Sequence, residues 1–438
     1  MTGLGIAVTV VISMAAVLMA IQRPGGCLRY SFLCGTLYLA WIVPQLIALD
    51  TESTPEDGLF WLVVMVALCL GASLFGWRIG TRRQRRAMPV NFQGQADLQT
   101  LFWPVAALTA FVFMLHVLIR LQPLEALQQT KWSGPLTIIA FFLSLSVIGL
   151  YLSLLIAFRE RSPRAFILAG VNILLSGAVA FIALRRGELV DFGVATVAAL
   201  WFGARKRIPI PLVATAIIGM VMVAYAIVPL RIAAREVAET TGSRAGLLST
   251  EVWRRVDFAD AVQKSSQRAV DLSNAVHLID STNRWGEFTL GQRSWDRFVF
   301  QWVPAQILGA DFKNGLMFEQ GTSYEQMELD YAFTYVGGTT STGFAFAYQE
   351  FGPFGFIYFL LIGILMGRLW SRAETGDVWS QALYVSFAGG ALLSVTHHAM
   401  WLAVQTPLFA TAVFILKRAS GQALRRRRLV GGYHALRH

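Results

Sequence analysis

Charge is what this chain has least of. Only 14% of its 438 residues are Asp, Glu, Lys or Arg, against 55% apolar, where a soluble domain carries roughly a quarter charged. That shortage excludes an ordinary soluble globular protein and leaves a polytopic membrane protein. Cysteine is nearly absent too. Cys27, Cys34 and Cys69 are the only three, all in or beside the first three apolar runs, so no disulfide framework or thiolate metal spacing can be drawn. Acidic residues number 26 against 37 basic ones, a formal charge of +11. The basic residues come as short clusters between apolar runs, without the aromatic interleaving of a nucleic-acid module, which argues against nucleic acid as a partner. There is no nucleotide motif and no acidic cluster suited to a metal, so neither cofactor nor metal is expected.

What the chain has in abundance is long apolar runs. A helix crossing the hydrocarbon core needs about 20 such residues. Runs of that kind lie near 3–21, 30–49, 58–78, 101–119, 135–158, 165–184, 188–204, 208–230, 350–368, 378–396 and 399–416, which makes eleven expected spans. The first has no basic stretch before it and no small-residue cleavage site after it, so it reads as a retained span rather than a signal peptide. The expected organisation is an eight-span bundle over 1–230, a long polar segment over 231–345, a three-span region over 346–418 and a basic tail over 419–438.

Connections rich in Lys and Arg stay on the cytoplasmic side. Basic clusters follow alternate spans: Arg23 and Arg29; Arg78, Arg82, Arg83, Arg85 and Arg86; Arg159, Arg161 and Arg164; Arg205, Lys206 and Arg207; Arg368 and Arg372; and the RRRR of 425–428. The connection after span two is the acidic DTESTPED. This alternation puts the N-terminus and the long segment outside and the C-terminus inside. Within that segment Val252, Val256, Ala259, Val262, Ala269, Val270 and Val276 recur at near-helical spacing, which predicts amphipathic helices lying on the bilayer or covering a site. In SWDRFVFQWVPAQILG, Trp295 and Trp302 can anchor at the interface or stack on sugars.

With that orientation the informative cations are those on the outer side. Arg120 and Lys131 follow span four, Arg185 and Arg186 stand in the tight turn LRRGELVDF with Glu188 and Asp191, and Arg231 and Arg235 stand where span eight emerges. Arginine offers a planar fork of donors that grips phosphate in bidentate fashion and stays charged. The same residues can instead snorkel to head groups or pair with Glu188 and Asp191. His397 and His398, in SVTHHAMW at the outer end of the last hairpin, are candidate general bases or interfacial polar residues. Glu350, in FAYQEFGPFGF, can act on a sugar hydroxyl or be a carboxylate favoured at a helix start. Gly352, Pro353 and Gly355 predict a helix break beside it.

Three stretches carry a resemblance. They are the RRG turn at 185–187, VPAQILGADFKNG at 303–315, and GTTSTGFAFAYQEFGPFGFIYFLLIGILMGRL, where hydroxyl residues and an aromatic lead into FGxxG and a span with a basic stop. The chain resembles the bacterial Wzy-type oligosaccharide repeat-unit polymerases in these stretches and in its general layout. Two departures stand out: Phe344, Ala345 and Phe346 occupy positions where the family often has a glutamate, and many members have an even span count. The resemblance implies a GT-C-like membrane glycosyltransferase of the bacterial inner membrane, all-α. Its donor and acceptor would both be undecaprenyl-diphosphate-linked oligosaccharide, with membrane lipid around it and a chain-length regulator and flippase as partners. Arg185, Arg186, Glu350, His397 and His398 would be catalytic, and Arg120, Glu188, Arg231, Arg235 and Tyr348 would contact substrate. The alternatives are a ligase moving finished glycan and, in another class, a flippase for lipid-linked oligosaccharide; the chain shows no convincing internal repeat of the kind transporters carry.

Overall fold

A computed structural model of the chain describes residues 2–49, 54–85, 98–121, 135–178, 186–204, 230, 233, 237, 250–255, 270–318, 330–331 and 339–435. Among these, every regular element is helical: α1 (Thr2–Ile21), α2 (Tyr30–Leu37), α3 (Val43–Leu49), α4 (Glu56–Arg85), α5 (Leu98–Arg120), α6 (Pro135–Leu143), α7 (Ser146–Glu160), α8 (Pro163–Gly177), α9 (Arg186–Ala204), α10 (Thr250–Arg255), α11 (Val270–Trp285), α12 (Gln292–Trp302), α13 (Ala305–Leu308), α14 (Ala310–Gly315), α15 (Thr342–Phe351), α16 (Phe356–Glu374), α17 (Val378–Thr396) and α18 (Trp401–Ala435). Nine of the described helical stretches are long and apolar enough to cross a membrane. The chain is therefore an all-α polytopic membrane protein.

Of the eleven expected spans, 208–230 lies outside the described residues save for its last position, and the sixth is the shorter apolar helix Pro163–Gly177. The ninth begins earlier than the apolar run does. Its stretch runs Thr342–Glu374, and the 3₁₀ turn Gly352–Gly355 interrupts it at the expected break. The second span also carries an irregularity, the π-helical turn Tyr38–Ile42 between α2 and α3. Parts of the amphipathic pattern in the long segment are described as α10 and α11, where Val252 and Val276 are buried.

The chain divides into two units, one of residues 1–85, 209–368 and 388–405, the other of 86–208, 369–387 and 406–438. In the first, α4 and α16 cross with their backbones nearly touching. A Cβ on Gly76 would lie 2.2 Å from the Leu360 carbonyl oxygen, and one on Gly80 2.4 Å from that of Ile364. The relation is reciprocal, since a Cβ on Gly363 would lie 2.2 Å from the Ser73 oxygen and one on Gly367 2.7 Å from that of Trp77. Both helices thus bring a small-xxx-small face to the crossing. Without a hydrophobic drive between helices in lipid, such close approach is what yields dispersion contact.

In the second unit α7 is buried along most of its length, from Ser146 to Ala157. It is apolar all round, as a helix enclosed by α5, α8 and α9 must be. Polar groups there pair with each other: Asn172 Nδ2 donates to Thr109 Oγ1 at 2.8 Å, and the Tyr151 hydroxyl donates to Gln381 Oε1 at 2.9 Å. Each such bond between spans contributes about 1 kcal/mol.

Candidate functional site

The richest polar constellation lies in the first unit, where α11, α12, α15 and the turn between α17 and α18 meet. The hydroxyl segment before α15 is tied on both sides. Thr340 donates its N–H to Asp271 Oδ1 at 2.9 Å and its hydroxyl to the Thr396 carbonyl at 2.6 Å, and Asn274 Nδ2 reaches Thr339 Oγ1 at 2.9 Å. At the start of α15, Thr342 has φ 62°, a left-handed backbone that a β-branched residue adopts only when its surroundings impose it. Gly343 follows because nothing larger fits: a Cβ there would sit 1.8 Å from the Ser394 carbonyl oxygen.

Glu350 closes α15, so it stands at the C-terminal end of a helix. The helix-start reading is thereby corrected, since α15 begins eight residues earlier and its dipole offers Glu350 nothing. The carboxylate is 1% exposed and is held by hydroxyls instead. Ser294 Oγ lies 2.5 Å and 2.7 Å from its two oxygens, the Tyr358 hydroxyl donates to Oε2, and the two hydroxyls are 3.2 Å apart. The Leu290 N–H donates to the Glu350 carbonyl at 3.0 Å. Gly291, at φ 90°, then turns the chain into α12.

Because Ser294 is pinned, the rest of α12 is oriented. Trp295, Phe298 and Trp302 form a stacked row with ring centroids 6.3 Å and 6.2 Å apart. Trp295 Nε1 donates to the Leu316 carbonyl at 2.8 Å and Trp302 Nε1 to that of Val404 at 2.9 Å. Arg293 and Arg297, one turn apart, lie beside the α17–α18 turn. The Arg297 guanidinium stands 4.9 Å over the Trp401 ring, and both arginines act electrostatically on His398.

His398 is buried and stacks on Phe346 at 4.6 Å between centroids. Burial, followed by the charges of Arg297 and Arg293, holds its pKa well below the ordinary histidine value. Its Nδ1 accepts the Met400 N–H at 3.2 Å, so the neutral ring carries its proton on Nε2. His397 is half-buried, 2.9 Å through Nδ1 from Thr396 Oγ1 and 5.5 Å from Trp401 between rings. Tyr348, also on α15, donates its hydroxyl to Asn283 Oδ1 at 2.8 Å.

Of the residues singled out in the sequence, Glu350, His397, His398 and Tyr348 thus gather around α15. Glu188 is in the first turn of α9, in the other unit. Arg185, Arg231 and Arg235 lie outside the described residues, as do the side chains of Arg120 and Arg186. Arg293 and Arg297 were missed by sequence reasoning, although two arginines four residues apart in an aromatic stretch of the long polar segment are a readable signal. Among the described residues no three His, Cys, Asp or Glu side chains group closely enough to hold a metal ion. No family model, curated protein or solved structure matches the chain.

Proposed function

We propose that the chain polymerises undecaprenyl-diphosphate-linked oligosaccharide repeat units at the outer face of the bacterial inner membrane. The observation that carries this reading is the arginine pair of α12, Arg293 and Arg297, set beside a neutral buried histidine and an aromatic wall where spans end. A cationic fork next to apolar surface suits an anionic amphiphile such as a lipid diphosphate. The resemblance to Wzy-type polymerases, argued from residues 185–187, 303–315 and 338–369, supplies the reaction class.

An acceptor sugar hydroxyl attacks the anomeric carbon of the donor, and the bond from that carbon to the diphosphate oxygen breaks with its electron pair passing to the diphosphate. Negative charge therefore grows on the leaving group, and preorganised guanidiniums stabilise it. Arg293 and Arg297 take that role. The His398 Nε2–H adds a neutral donor. Both Glu350 oxygens are occupied by hydroxyl donors, so its part is to hold α12 in place. The acceptor proton goes to His397, the more exposed of the two imidazoles.

The test is Arg297→Ala, at normal membrane level, in cells whose surface polymer depends on this chain. Loss of long polymer with single repeat units retained, and lipid-linked units accumulating on the outer side, supports polymerisation. Accumulation on the cytoplasmic side points to a flippase, long lipid-linked polymer points to a ligase, and an unchanged polymer length removes Arg297 from the site.

A further inference from the structure

In the second unit a lateral groove runs between α5 and α8, with a volume of about 390 Å³. That is within the range of small-ligand sites. Its shape follows from the residue sizes: Ala106, Thr109 and Ala110 form a low floor between Phe102 and Phe113 on α5, opposite Ile167, Leu168 and Val171 on α8. Thr109 is not a polar intrusion, because its hydroxyl donates to the Val105 carbonyl and accepts from Asn172, each at 2.8 Å. The flanks are apolar and open, with Ile167 69% and Phe113 54% exposed.

One end of the groove is different. Arg164 lines it, its guanidinium 5.8 Å over the Phe102 ring. The connection there, RERSPR, carries Arg159, Arg161 and Arg164 against the single acid Glu160. Arg159 is held by the Phe202 carbonyl at 3.0 Å, and three arginines against one glutamate leave the connection with a net positive charge that Arg164 brings to the groove. An apolar trough the length of a few helical turns, ending in net positive charge at a basic connection, matches a ligand with a hydrocarbon chain and an anionic head.

We propose that this groove is a binding site for an anionic glycerophospholipid. One acyl chain lies along Ala106 and Ala110, and the phosphate is met by Arg164. Basic pockets between spans on the cytoplasmic side take lipid head groups in this way, and the alternation of basic connections puts 159–164 on that side. The groove shares no residue with the polar constellation around α15 and does not depend on the polymerase reading.

Native mass spectrometry of the purified full chain, equilibrated with equal phosphatidylglycerol and phosphatidylcholine, tests it. The expected result is a retained phosphatidylglycerol favoured about fivefold over phosphatidylcholine, the preference expected from one arginine near an anionic head group. Arg164→Gln abolishes the preference and Arg164→Lys keeps it. Ala110→Phe, which fills the floor, removes the retained lipid altogether while leaving the thermal unfolding midpoint in place. Equal retention of both lipids, a second copy of the chain in place of lipid, or phosphatidylglycerol retention unaffected by Ala110→Phe would each overturn the assignment. If Arg164→Gln fails to fold, the wild-type preference and Ala110→Phe still decide the matter.

Discussion

At the scale of single residues, the decisive fact is that Glu350 is buried and shared by two hydroxyls. A carboxylate in that position acts through what it holds, and what it holds is Ser294, the neighbour of Arg293. Glu350→Ala removes the acceptor of the buried Ser294 hydroxyl and the half-buried Tyr358 hydroxyl and is expected to destabilise the protein by about 1.5–3 kcal/mol, the range for a hydrogen bond to a charged group, as read by thermal unfolding. Glu350→Gln keeps both bonds in altered form and loses less. Arg297 is different because its guanidinium stands over the Trp401 ring, 4.9 Å from the centroid. Arg297→Ala is expected to lower polymer formation about a hundredfold, as removing one donor from a charge-stabilising site does. Arg297→Lys recovers little of it, since an ammonium cannot reproduce the fork. His398 carries a pH signature. Its folded pKa is depressed, so between that value and the unfolded value of about 6.5 the unfolded chain binds more protons. Its contribution to stability is complete above about pH 6.5 and is lost as pH falls below it. Unfolding midpoints taken from about pH 7.5 down to about pH 5 are expected to fall in the wild type and to fall less in His398→Gln.

At the scale of elements, α4 and α16 illustrate a signal present in the sequence and realised only by pairing. The spacings GWRIG at 76–80 and GILMG at 363–367 mark surfaces that permit close approach. Which two spans meet there is a tertiary fact. Gly80→Leu or Gly363→Leu is expected to separate the helices and lower the unfolding midpoint sharply, whereas the same change at Gly71, where a Cβ meets nothing within 4 Å, is expected to leave it nearly unchanged. The stretch that forms α12 was readable as rich in aromatics. Its attachment to the end of α15 was not, because the Ser294–Glu350 bond joins residues 56 apart through a hydroxyl that no periodicity distinguishes.

At the scale of the whole molecule, the alternation of basic connections fixes an expected orientation that labelling can check. In a Cys27→Ser background, Glu287→Cys is expected to react with a membrane-impermeant maleimide in intact cells, and Thr375→Cys only after the membrane is opened. The opposite pattern would invert the chain and with it the proposed face of the reaction. What the sequence alone determined is that the chain is helical and crosses a membrane many times. Length and apolarity of a run are local and additive, and hydrocarbon tolerates no unpaired backbone. The break at Gly352–Gly355 was local in the same sense, being written in glycine and proline. Only the tertiary structure decided which polar groups meet. Arg297 and Trp401, Ser294 and Glu350, and Thr340 and Thr396 are brought together by packing between distant helices. A buried polar group is satisfied by whatever partner the fold delivers to it, and in a chain this apolar the choice of partner leaves no periodic trace along the sequence.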